Sequence, residues 1–315
     1  MKLAHSELTM RHRHVFPALA ASAALVITGL TAGCAAPDDA SPAADDESQT
    51  EVTTLEQDDA IADMLPADIK DAGVVRVASG VSFPPMEFFD TDNETVLGFD
   101  ADLGKALGEV LGVEFEFHNT NFDGIIGGLD ADRYDLALTS MIDTKDRQGS
   151  VDFVDYLNSG LAFMTLKDNP EGLTTEADLC GVGVAVEKAA TGDLVADDLS
   201  ADCEANGDEP LDKQPFPDQA SAVQALKSGR ADAVLALDVT LAYNVSQDPD
   251  SFEIPAEPFG LLPVGIPVPK DAQELRDAVQ AALKKVQEEG VYDELLTKWN
   301  LEAQALEGAP INQGK

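Results

Sequence analysis

Apolar positions recur along this chain with two different periods. Val74, Val75, Val77 and Ala78 make a short run that predicts a strand over 74–78. The next stretch, "SGVSFPPMEFFD", holds a Pro-Pro pair and is a loop, because proline lacks the N–H that a helix needs. Leu103, Ala106, Leu107, Val110 and Leu111 are spaced three and four apart. They predict an amphipathic helix capped by Asp100 and stopped by Gly112. "VEFEF" alternates and predicts a strand, "NFDGIIGGLDAD" a short helix, and "YDLALT" another strand. This βαβαβ rhythm implies a mostly parallel sheet covered by helices on both faces.

The rhythm then restarts. A strand is predicted over 182–187, a helix over 191–200, a loop carrying Cys203, a helix over 218–229 and a strand over 231–237. The prolines of "FGLLPVGIPVPK" give an extended crossing segment, and two helices follow, 271–289 and 291–299, parted by Gly290. The pattern suits an α/β protein of two lobes, the first formed by 67–160 and a return over 261–301, the second by 161–260, with a C-terminal tail over 302–315.

The start of the chain reads differently. Arg11, His12, Arg13 and His14 precede an apolar core, Val15 to Leu30, of signal-peptide length; Met1 and Met10 are both possible starts. The core ends in Leu-Thr-Ala-Gly-Cys34, which resembles a bacterial lipobox. Residues 1–34 are expected to be a lipoprotein leader, with Cys34 lipidated and the protein exported and held on the outer face of the cell membrane. An ordinary cleavage site beside a chance cysteine is the alternative. Residues 35–66 are rich in Asp, Ala, Ser and Pro and are expected to form a flexible acidic tether.

Charge and cysteine count narrow the chemistry. A net charge of −39 over 315 residues argues against nucleic-acid binding, which needs a basic face. With Cys34 lipidated, Cys180 and Cys203 remain; in an oxidising compartment they are expected to pair, the alternative being two buried thiols. Of the four histidines only His118 lies beyond the leader, so neither a metal site nor a cofactor is expected.

The segments "FPPMEFFD", "VLGFDADLGKALGEVLGVEFEF" and "NFDGIIGGLDADRYDLALTSMIDTKDRQGSVDFVDYLNSG" resemble the first lobe of family-3 solute-binding proteins of ABC importers for polar amino acids. "VGVAVEK", "SGRADAVLALD", "VGIPVPKD" and "LRDAVQAALKKVQEEGVYDELLTKWN" extend the resemblance over nearly all of 70–301. It implies a periplasmic-binding-protein-like type II fold with two crossing hinge strands. It also implies a small-molecule ligand bearing a carboxylate, most simply a polar or acidic amino acid or related zwitterion, and an ABC permease with its ATPase as partner. A monomer is expected.

The resemblance also implies the site. The turn Thr139–Arg147 would hold the ligand's carboxylate through Arg147, with Ser140 and Thr144 as hydroxyl donors and Ile142 contributing only its amide. Spacing by itself leaves another reading open, in which Arg147 pairs with Asp143 four residues earlier on a helix. Phe83 and Phe122 would clamp the ligand's aliphatic part, and Glu87 is read as structural. In the second lobe, Thr191 survives from a Gly-Thr-Thr turn that here reads Ala189-Ala190-Thr191. The family's ammonium-binding Asp falls on Leu237, one residue before Asp238, which is expected to serve if the strand end bends. Gly80 replaces an acid used by some cation-binding members, which disfavours Lys, Arg or His as ligand. The competing readings are a sensory or structural lipoprotein and a dehydratase-like enzyme on the same fold. His118, the one mature histidine, has no partner in sequence to make it a catalytic base.

Overall fold

The computed structural model describes residues 52–314. The leader, Cys34 and residues 35–51 of the expected tether lie outside the described residues.

Helices α1 (Asp59–Ala62) and α2 (Ala67–Ala72) precede strand β1 (Val74–Ser79). A ribbon of β2 (Phe88–Phe89) and β3 (Val96–Leu97) leads to helix α3 (Phe99–Leu111), strand β4 (Glu114–Asn119), helix α4 (Ile125–Asp130), strand β5 (Leu136–Ala137) and the one-turn helix α5 (Lys145–Gln148). β1 is central, with β4 and β5 parallel on either side. Alternation sends Val77 and Leu136 into the core under α3, and Ala78 and Ala137 into the core under α4. α3 begins at Gly98 rather than at an Asp100 cap, which corrects the sequence expectation. At Gly98 φ is +128° and a Cβ would lie 2.1 Å from the Met86 carbonyl, so the helix start is pressed onto the Pro85–Glu87 loop. Asp100 is thereby carried inside, where it is buried.

Strand β6 (Val151–Leu166) then crosses to the second lobe. There follow β7 (Gly183–Glu187), α6 (Thr191–Asn206), β8 (Asp212–Phe216), α7 (Gln219–Lys227), β9 (Ala233–Leu237), α8 (Asp238–Gln247) and β10 (Phe252–Glu253). β11 (Phe259–Pro269) returns to the first lobe, and α9 (Gln273–Glu288) and α10 (Val291–Trp299) pack beneath it. The second sheet runs β10-β6-β9-β7-β8. β6 and β11 are antiparallel partners from Val151 opposite Pro269 to Leu161 opposite Phe259. This paired ribbon carries the chain across twice, and an Ile142–Val264 bridge ties it to the first lobe.

Two ends of the chain are more ordered than their composition suggests. Part of the expected tether is not a tether: Val52, Leu55 and Ile61 pack on the first-lobe core, Leu65 is buried in it, and the Thr53 N–H donates to Glu294 at 2.7 Å. Those apolar residues, spaced through an acidic run, supply the burial that ordering requires. The C-terminal tail is laid along β6, with bridges Leu157–Ala305 and Val154–Ile311.

Cys180 and Cys203 form a disulfide, closing a separation of 23 residues across the second-lobe core. The chain-entropy cost of that loop in the unfolded state predicts that replacing both cysteines by serine lowers the unfolding free energy by about 3 kcal/mol, as urea denaturation would measure.

Candidate functional site

The strand ends of both lobes face each other. After Ala137 the chain leaves β5 and turns through Thr139–Thr144, with Ser140 at φ +49°. The turn is braced from below. The Ser140 N–H donates to the Asp100 carboxylate at 2.9 Å, and Tyr156 Oη donates to the other Asp100 oxygen at 2.7 Å. Gly80 N–H donates to Thr139 Oγ1, which donates to Glu87 at 3.0 Å. Burial pushes Asp100 up to about 6, and burial together with Asp100 pushes Glu87 well above the usual carboxylate range.

Thr144 caps α5, accepting from the Arg147 N–H at 3.3 Å. Arg147 sits on the last turn of that short helix and points across the cleft. Its Nη1 donates to the Ile142 carbonyl at 2.9 Å and to Thr191 Oγ1 at 3.2 Å, and its Nη2 donates to the Ala189 carbonyl at 2.9 Å. The guanidinium carbon lies 5.4 Å from the centre of the Phe122 ring. Arg147 is 7% exposed and takes part in none of the ion pairs among the described residues. Burial pulls its pKa down to about 10, so it stays charged at neutral pH. The local pair with Asp143 that spacing allows does not form. Asp143 turns the other way, toward the C-terminal tail.

The second lobe meets this turn with the start of α6. Ala189 adopts φ +61°, a left-handed conformation that glycine enters freely and alanine enters at a cost of roughly 1–2 kcal/mol. That turn aims its carbonyl at Arg147. Thr191 and Gly192 are the first helical residues, where N–H groups have no carbonyl of their own helix to reach. A Cβ at Gly192 would lie 2.3 Å from the Leu235 carbonyl, so glycine lets α6 rest on the end of β9.

Gly80, Phe83, Phe122, Ser140, Thr191 and Leu237 line one cavity between the lobes, together with Glu87, Glu187 and Gln219. It is nearly shut, with about 20 Å³ left for the centre of a water-sized molecule, so entry of a solute requires the lobes to part. Bonds across the cleft hold this closed arrangement: those of Arg147, the Lys188–Asp123 ion pair at 2.7 Å and the Thr240 hydroxyl on the Pro84 carbonyl at 2.6 Å.

Four expected residues do not line the cavity: Arg147, which bridges the lobes beside Thr191, and Asp238, Ile142 and Thr144. Asp238 does not reach the cavity. Its carboxylate accepts from Ser159 Oγ at 2.6 Å and from the N–H groups of Gly160 and Val239, because α8 begins at Asp238 and turns the residue onto the crossing strand. Leu237 occupies the cavity wall in its place. Ile142 offers its carbonyl to Arg147, while its side chain is buried in the first-lobe core. Thr144 acts as a helix cap, apart from the cavity lining.

Glu187 and Gln219 escaped sequence reasoning. Glu187 ends β7 as part of what reads as an all-buried strand, and Gln219 looks like the first residue of a surface helix. Glu187 is 4% exposed, and its carboxyl takes no part in the side-chain hydrogen bonds or ion pairs among the described residues. Gln219 is 1% exposed, and its Nε2 has no partner. An acid or amide closing a fully buried run is the signal that was available.

Comparison with known proteins gives the family and the fold. The sequence profile of the bacterial extracellular solute-binding proteins, family 3, matches residues 75–302. The arginine-binding protein ArgT of Corynebacterium glutamicum is 29% identical over 253 residues, covering 79% of this chain and 82% of that protein. The arginine-binding extracellular protein ArtP of Bacillus subtilis is 30% identical over 73% of this chain and 88% of that one. Among solved structures, an ancestral arginine-binding protein bound to arginine is 33% identical with a TM-score of 0.67, covering 72% of this chain and 98% of that one. These relatives are two-lobed binding proteins, not enzymes. No helix among the described residues is long and apolar enough to cross a membrane.

Burial, then the Asp218 and Asp123 carboxylates, push Glu187 up to about 8. A glutamate in the unfolded chain titrates near about 4.3, so the folded protein loses stability as pH rises from there to about 8. Glu187→Gln removes that loss. The melting temperature of the ligand-free variant is expected to match the parent near pH 4.5 and to exceed it by a growing margin up to pH 8, read by calorimetry across that range.

Proposed function

Because this chain belongs to the bacterial extracellular solute-binding proteins of family 3, we propose that it captures an amino acid by closing its two lobes and delivers it to an ABC permease with its ATPase. The observation that carries this reading is Arg147. A buried guanidinium bonded only to carbonyls and a hydroxyl lacks the anion that would compensate its desolvation. A ligand carboxylate supplies that anion, and the guanidinium fork can grip it with two bonds. Ser140 and the start of α6, with Thr191, stand beside it from the two lobes. Phe83 and Phe122 cover the aliphatic part of the ligand and exclude water.

The acids of the cavity set the rest of the ligand. Glu87 and Glu187 line it, while Asp238 is spent on the hinge. A second carboxylate on the ligand would find no cation among these acids and would push them further toward protonation, whereas an ammonium or guanidinium favours their ionised form and an amide can bond to either form. The ligand class this favours is a basic or amide-bearing amino acid and not an acidic one, against the expectation from Gly80. Gly80 leaves room in the cavity, and Glu187, from the other lobe, supplies an acid that the glycine at 80 does not. The names of the arginine-binding relatives support the same class. Lobe closure favours the ligand only by the difference between its closed-state and open-state contacts, so residues reaching from both lobes matter most.

For location, the lipobox-like Leu30–Cys34 supports an exported protein anchored through lipid on Cys34. Cys34→Ala, expressed as the whole precursor, is expected to abolish incorporation of a radiolabelled fatty acid; unchanged labelling refutes the anchor.

Titration calorimetry with arginine, lysine, glutamine and glutamate tests the site. The two bonds to a carboxylate are worth about 1.5–3 kcal/mol each, so Arg147→Ala is expected to weaken the best of these ligands by about a hundredfold or more. Glu187→Gln should weaken the basic ligands and spare glutamine. An Arg147→Ala protein that binds as tightly as the parent overturns the assignment.

A further inference from the structure

Asp143 and Arg147 are four residues apart in sequence, but Asp143 precedes the Thr144 cap and so lies outside the helix that carries Arg147. They do not pair here, although both are buried. Each Asp143 oxygen is taken by a donor from elsewhere. Gln148 Nε2 donates to Oδ1 at 2.7 Å, and the Gly314 N–H donates to Oδ2 at 2.7 Å. The Asp143 N–H is itself held by the Pro263 carbonyl at 2.9 Å.

The segment that brings Gly314 there is built into the first lobe. Gln287 Nε2 and Gln280 Nε2 of α9 donate to the Leu306 and Ala309 carbonyls, at 2.8 and 2.7 Å. The Asp155 N–H donates to the Pro310 carbonyl, Asn312 exchanges backbone and side-chain bonds with Phe153, and the Gln313 N–H donates to Asp155 Oδ2 at 3.1 Å. Gly314 is buried, and a Cβ on it would lie 2.1 Å from the Asp143 carbonyl oxygen. A side chain there pushes the backbone off Asp143.

We propose that the C-terminal segment 302–314 is a positioning element of the binding site: by donating to Asp143 it keeps that carboxylate turned away from Arg147 and leaves the guanidinium free for the ligand. The functional part of this inference rests on the reading that Arg147 takes the ligand carboxylate; the part about Asp143 does not. When the tail lets go, Asp143 loses one of its two side-chain donors. Arg147 is a cation on which Asp143 already acts, and an internal ion pair then competes with the solute.

Two measurements separate the parts. The first needs no ligand. A double-mutant cycle of Asp143→Asn and Arg147→Gln, read by urea unfolding, is expected to show only a weak favourable coupling in the parent, where Asp143 acts on Arg147 without bonding to it. In a Gly314→Val background it should show a favourable coupling of about twofold or more in the unfolding equilibrium. Equal coupling in both backgrounds overturns the proposal. Where Gly314→Val does not fold, deletion of residues 313–315 removes the same donor without crowding and takes its place. The second measurement is titration with L-arginine. Gly314→Val should weaken binding about tenfold, and adding Asp143→Asn should restore most of it, which a merely loosened lobe would not do. If Arg147→Ala binds arginine like the parent, the carboxylate reading fails while the unfolding cycle still decides what the tail does to Asp143.

Discussion

The Arg147 guanidinium, buried over the Phe122 ring, donates to the Ala189 carbonyl and the Thr191 hydroxyl of the facing lobe. Much of the molecule serves to put a cation there without a carboxylate beside it. The α5 turn is held by Asp100, Glu87 and Tyr156 below and by Pro263 at its side. The facing carbonyl is aimed by a left-handed Ala189, a strained choice for a residue with a Cβ. A charge so placed is stable only while dipoles or an anion compensate its lost hydration, and this gives the closed lobes a use for a carboxylate.

Charge balance then sets what else fits. Arg147 is the cation beside Thr191 at the cavity's edge, and Glu87 and Glu187, which line the cavity, are acids raised by burial. This pattern is what supports the proposed α-amino acid with a basic or amide side chain. The displacement of Asp238 onto Ser159 matters for the same reason. It removes the acid on which the family resemblance relied and hands the role to residues on other elements.

The two crossing strands connect this chemistry to motion. β6 and β11 are paired along their length, so the lobes are joined by a ribbon and not by two loose linkers. The tail adds a further edge to β6 in its first-lobe half and ends against Asp143, beside the binding turn. Hinge, tail and anion-holding turn therefore form one connected piece of the first lobe, against which the second lobe closes through Arg147, Lys188 and Thr240.

Local periodicity and order along the chain were enough to read the α/β class, the restart of the second unit, the extended return through the prolines and the last helix, because each depends on neighbours a few residues apart. Arg147 and Thr191 were expected from the family resemblance and not from local spacing, and the structure brings their side chains to 3.2 Å. Contacts between distant segments were not legible. The tether looked unstructured because the apolar residues it buries, Val52, Leu55, Ile61 and Leu65, find their partners in the first-lobe core, far along the chain. Asp100 looked like a cap because only the close approach of Gly98 to Met86 shows that it is carried inside. Asp238 and Leu237 differ by one position, and which of them faces the cavity depended on where α8 begins. Glu187 and Gln219 become site residues only when two lobes shut over them. Sequence thus determined which chemical groups each segment carries, and tertiary structure decided which of them lose their water together, since desolvation depends on what packs against a group and not on what precedes it in the chain.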